Sequence, residues 1–121
     1  MANTFKVVTF AAEPASAGTA YKMYTVAGST TTVVLGLILN NIHSSAVTAE
    51  VELVSDTGSR GGANNVANGT SFLVKDVNIP AGSSLELLSG GKVVLEATDE
   101  IKIDCSVADK LSGTLSIMEI T

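Results

Sequence analysis

The chain has 121 residues, 45% of them hydrophobic and only 16% charged, with a formal net charge of −5. A domain of this size buries enough surface to fold without a disulfide or a metal. With five aromatics, no Trp and no run of Lys or Arg, a base-stacking platform, an aromatic cage and a phosphate-neutralising surface are excluded. The N-terminus has no charged stretch leading into an apolar one, so no secretory signal is expected. The longest apolar run, Val33 to Leu39, is too short to span a bilayer.

The apolar period is two almost throughout, which predicts strands. The first, about 4–10, reads TFKVVTF: Phe5 and Val7 share one face, Val8 and Phe10 the other. A turn at Glu13–Gly18 leads to a second strand at about 20–26. After Ala27-Gly28-Ser29 comes the most apolar strand, about 31–40. Strict alternation places Val33, Leu35, Leu37 and Leu39 inward, with Val34, Gly36 and Ile38 on the other side. The turn at Asn40–Ser45 carries the one histidine, His43. A fourth strand, about 46–54, alternates cleanly: Val47, Ala49, Val51 and Leu53 against Thr48, Glu50 and Glu52.

Residues 55–70 break the rhythm. They are rich in Gly and Asn, contain Arg60, and read as a flexible loop at one end of the domain or as a contact arm. Strands resume at about 70–78, 84–88, 92–95, 100–107 and 113–120. They are separated by Pro80-Ala81-Gly82-Ser83, Ser89-Gly90-Gly91, Ala97-Thr98-Asp99 and Asp109–Gly113. Only Ala108–Leu111 offers a helical turn. In the eighth strand Ile101, Ile103, Cys105 and Val107 face one way, which puts the lone cysteine on the apolar side. In the ninth, Leu115 and Ile117 point inward while Met118 and Ile120 fall out of phase. Eight to nine short strands with regular turns predict a single all-β domain over 1–121, an antiparallel β-sandwich of jelly-roll or immunoglobulin-like type.

Catalytic chemistry is not legible. One His and one Cys are too few for a structural zinc site. No Asp-x-Asp-x-Asp-Gly run suggests calcium, no Gly-x-Ser-x-Gly elbow suggests a hydrolase, and no glycine-rich loop leads into Lys-Ser/Thr. The expectation is therefore a non-enzyme with no catalytic residue, metal or cofactor. Three strands carry apolar residues on both faces, which fits a central strand, a bulge or a covered edge, and equally a second surface buried by another chain. The candidate interface residues are Phe5, Val8, Phe10, Val34, Ile38, Met118 and Ile120, with Arg60 from the long loop.

The stretches YTVAGSTTTVVLGLILNN, AVTAEVELV, FLVKDVNIPAGSSLELLSGGKVVLEATDEIKIDCS and LSIMEIT together resemble small virion structural proteins of tailed bacteriophages, common in marine and cyanobacterial phages. The resemblance runs from about Tyr24 to Thr121. It departs at two turn positions: Ala27 stands where Pro is frequent, and Thr98 where Gly is. The 55–70 loop is also longer than the pattern has. The resemblance implies a part of a virion, assembled in the host cytoplasm. A capsid decoration or cement protein is the expected role, with a neck, tail or fibre-adaptor component as the alternative. Expected partners are the chain itself, as a trimer or ring, and other virion proteins such as the major capsid protein, with no nucleic acid and no membrane. A carbohydrate-binding module ranks lower, because such modules need exposed aromatics.

Overall fold

Antiparallel pairing in this chain is nested. A computed structural model describes residues 2–55, 69–88 and 91–121. Among them are nine strands and no helix: β1 (Asn3–Glu13), β2 (Tyr21–Thr25), β3 (Thr31–Asn41), β4 (Val47–Ser55), β5 (Gly69–Ile79), β6 (Ser84–Leu87), β7 (Val93–Leu95), β8 (Glu100–Cys105) and β9 (Leu111–Ile120). β4 pairs with β5, and β3 with β6 and β7. Further out, β2 pairs with β8 and β1 with β9. The chain is a long two-stranded ribbon rolled on itself. The rolling yields two sheets, β1-β9-β3-β6 with β7 also on β3, and β2-β8-β4-β5. This is the strand order of a jelly roll, which decides between the two sandwich types expected from sequence.

The nine expected strands are all present, with ends shifted by up to three residues. The Ala108–Leu111 segment forms a turn and the start of β9 instead of a helical turn. The expected turn at Pro80–Ser83 closes with Ser83 N–H donating to the Pro80 carbonyl at 3.1 Å, and Gly82 takes φ +71° there. Residues 56–68 of the expected loop, Arg60 among them, lie outside the described residues.

The core lies between the sheets. Leu37, Leu39, Leu115 and Ile117 from the first sheet meet Ala49, Val51, Ile101 and Ile103 from the second, all within 1% of full burial. Burial of this kind is the dominant favourable term in a fold with so few aromatics. Cys105 is buried at 3%, as its phase on β8 predicts. Asn41 is buried yet fully occupied. Its Nδ2 donates to the carbonyls of Ser45 (3.0 Å) and Ile79 (2.9 Å), and its Oδ1 accepts from the His43 N–H (2.8 Å). It fixes the β3–β4 turn and ties it to the end of β5, so the polar cost of burial is offset by three hydrogen bonds.

Two candidate interface residues belong to this core. Val34 is 1% exposed. The register between β3 and β9 slips at Leu35: Val34 pairs with Ile117, and Gly36 with Ser116. A bulge adds one residue and so reverses the inward phase. Thr32 and Val34 point inward before it, Leu37 and Leu39 after it, and Leu35 is only half-buried. Strict alternation had placed Val34 and Leu35 on the opposite sides. Phe10 is likewise buried, edge-on to Tyr21 with ring centroids 5.2 Å apart. Its ring occupies the space where a Cβ on Gly113 of the paired strand would stand.

The bulge sets a test. Val34→Asp places an unpaired charge in the core and should cost about 4 kcal/mol or more, whereas Leu35→Asp should cost about 1 kcal/mol. Urea unfolding of the two variants measures this; a loss for Leu35→Asp equal to or larger than that for Val34→Asp would overturn the phase reversal at the bulge.

Candidate assembly surface

Residues directly opposite one another in adjacent strands share a sheet face. Phe5 is opposite Met118, Met118 opposite Val33, and Val33 opposite Val94. These four side chains form one apolar row across β1, β9, β3 and β7, on the face turned away from the core. Phe5 is 72% exposed and Val94 61%. Neighbouring rows are Asn3–Ile120–Thr31, Val7–Ser116–Gly36 and Thr9–Thr114–Ile38–Glu86, the last ending in an exposed carboxylate on β6 at the margin of the sheet. Val7 is 63% exposed and Ile38 43%. The outward positions of β1, β9 and β3 carry no charged residue at all.

The charges of these strands are turned inward. Lys6 lies opposite Ile117, and Glu119 opposite Thr4 and Thr32, all on the core-facing phase. There Lys6 Nζ meets Glu119 Oε1 at 2.7 Å. Tyr24 of β2 donates its hydroxyl hydrogen to Glu119 Oε2 at 2.6 Å and lies 2.8 Å from Thr32 Oγ1, so it accepts from that hydroxyl. The cluster joins β1, β9 and β3 of one sheet to β2 of the other. Burial, then the bond to the Glu119 carboxylate, pushes the Tyr24 phenol up to about 12. The Lys6 ammonium, then Tyr24, holds the Glu119 carboxyl below its ordinary range.

The outer face of the second sheet has the opposite character. Glu50 is opposite Asp104, and Glu52 opposite Lys102, with Lys22 beside Lys102. Lys22 pairs with Glu100 at 3.0 Å and Lys75 with Glu50 at 3.1 Å. Such exposed pairs add little stability, but they keep this face solvated. Lys75 also covers Phe72, its Nζ 4.6 Å from the ring centroid. A shallow hollow of about 200 Å³ on this side is lined by Gly18, Thr48, Glu50, Asp76, Asp104 and Ser106. Asp104 Oδ1 is already engaged there by the N–H groups of Gly18 (3.1 Å) and Cys105 (2.8 Å). Among the described residues no group of acids, His and Cys has the arrangement of a metal site. Burial pushes the Cys105 thiol up, away from the reactive thiolate.

Of the residues singled out by sequence, Phe5, Ile38, Met118 and Ile120 lie on the outer face of the first sheet. Val8 is half-buried and packs against the core beside Phe10. Val33, Leu35 and Val94 were missed. Val33 and Leu35 were assigned inward by strict alternation, and Val94 sits in a three-residue strand with no alternation to read. Val7 shares the phase of Phe5 and was legible from that.

No protein-family model matches the sequence, and no curated protein sequence matches it either. Among solved structures, the chain is similar to one from Bacillus endospore appendages, described as a novel family of disulfide-linked pili. The two are 17% identical with a TM-score of 0.46, over 99% of this chain and 87% of the other. So distant a likeness carries no functional argument, and the fold assignment rests on the strand order above.

The inward cluster predicts a pH dependence at both ends. The unfolded phenol ionises near 10, the folded one at about 12. Over that window the folded state holds the extra proton, so stability falls as pH rises. At the acid end the folded Glu119 pKa is depressed. Its contribution is present above the unfolded carboxyl value and is lost as pH falls through the folded one. Urea midpoints against pH should show Tyr24→Phe losing less stability than wild type between about pH 10 and 12. Parallel curves would show that Tyr24 is not the responsible group.

Proposed function

We propose that this protein is a non-enzymatic structural subunit of a tailed-phage virion, acting as a head decoration or cement protein. The observation that carries the reading is the outer face of the first sheet: broad, apolar and without charge on β1, β9 and β3. A soluble domain that leaves such a face to water is open to aggregation; one that docks it in an assembly is not. The sequence resemblance over Tyr24–Thr121 supports a phage particle as that assembly.

Other features agree with this role. The acidic net charge and the ion-paired second sheet disfavour contact with packaged DNA. Many of the described ionisable groups sit in surface pairs, turns or the Tyr24–Glu119 cluster, and the one thiol, Cys105, is buried. Sugar binding is disfavoured because the two well-exposed aromatics, Phe5 and Phe72, lie on opposite sheets and form no shared platform.

Cryo-electron microscopy of the parent particle tests the reading. Density with this strand order at capsomer junctions is the expected result. Density confined to the portal vertex or the tail would replace decoration by a neck, tail or fibre-adaptor role. Absence from purified particles would overturn the virion reading altogether.

A further inference from the structure

We infer that the outer face of β1, β9 and β3, which carries no charge, is covered by a second copy of this chain, packed face to face about a two-fold axis near Met118. The inference rests on reading this face as an assembly contact, and it names the occupant.

Three observations lead to it. The first is charge. An occupant that brings an ion onto β1, β9 and β3 would bury it with no partner, because those strands offer none outward. The occupant must itself present a flat, uncharged, apolar sheet. This chain presents one on β1, β9 and β3, with Glu86 of β6 left at its margin, and a self-complementary contact is what two-fold symmetry requires.

The second is repulsion. Each copy carries a net charge of −5, so most ways of bringing two copies together set like charges close. Face-to-face packing stacks four sheets at about 10 Å spacing, which puts the two ion-paired outer sheets about 30 Å apart. That is several times the Debye length of about 8 Å at physiological ionic strength, so the acidic faces scarcely interact.

The third is extent. Seven residues along each of β1, β9 and β3, with the three of β7, cover roughly 400 Å² in projection. This equals the largest patches on soluble monomers but falls short of the ~800 Å² per partner of a standard interface. A reversible pair follows, not a permanent one. Aligned packing of sheets at about −30° would seat the Phe5–Met118–Val33–Val94 row of one copy across that of its mate.

Sedimentation velocity on the full chain, from micromolar to about 1 mM, is the test. A concentration-dependent dimer is expected. Val94→Glu or Val7→Glu should weaken it at least tenfold, since both side chains are mostly exposed and their loss leaves the core intact. Phe72→Glu, on the opposite sheet, should leave it unchanged. Met118→Cys should give a disulfide-linked dimer on mild oxidation, because the native Cys105 is buried, whereas Phe72→Cys should not. A strict monomer throughout, or a dimer indifferent to Val94→Glu and Val7→Glu, overturns the inference. A monomer that still binds particles through this face would overturn the pair and leave the structural-subunit reading standing. A pair that forms in solution while the chain is absent from particles would do the reverse.

Discussion

The pairing of β1 with β9 is the constraint on which the rest of the molecule depends. It joins the two ends of the chain, and Ala2 and Thr121 exchange backbone hydrogen bonds at 3.0 and 2.9 Å just beyond it. Each pair inside it closes a shorter loop, down to β4–β5. Closure entropy rises only slowly with loop length, so the outermost pair is not much dearer than the next. It is also the pair that places Phe10 over Gly113 and Lys6 beside Glu119. Without β9 alongside, β1 would have no inner face, and the first sheet would lose the edge that carries Phe5 and Val7.

That pairing also explains how a chain with few charges divides its two surfaces. On β1 and β9 the ionisable residues Lys6 and Glu119 fall on the phase that points between the sheets. At the open end of the sandwich this is tolerable: the pair is partly solvated, and Tyr24 and Thr32 complete its hydrogen bonding. The consequence appears on the other side of the same strands. With the charges used inward, the outward positions are left to Phe, Val, Met, Ile, Ser and Thr. The second sheet does the converse, burying only apolar residues along β8 and turning Glu100, Lys102 and Asp104 to solvent. One face is rich in ion pairs, and the other is mostly apolar, with Glu86 at its margin.

The proposed structural role rests on polarity rather than on any reactive group. Cys105 is withdrawn into the core, His43 stands in a turn organised by Asn41, and in the acidic hollow the Asp104 carboxylate is held by backbone N–H groups and that of Glu50 by Lys75. What remains available for function is a surface of defined shape and low charge, set on rigid strands. Rigid strands hold that surface in one conformation, so little ordering entropy is lost when a neighbour docks.

Strand existence, the all-β class, the burial of Cys105 and the shared phase of Phe5 and Val7 were legible in the sequence, because alternation is a local property of two or three neighbouring residues. The same holds for Met118 and Ile120, whose phase differs visibly from that of Leu115 and Ile117. The jelly-roll order, the bulge at Leu35 and the apolar row were decided by tertiary structure. Strand order depends on which distant segments meet, and period-two patterns are alike in every strand. The bulge arises from a register between β3 and β9, two strands about seventy residues apart in sequence; nothing within VVLGLIL alone says where an extra residue will be accommodated. Val33 and Val94 become neighbours, and Val34 becomes core, only when that register is in place. An alternation pattern tells which residues share a side within one strand; only pairing tells which side is in.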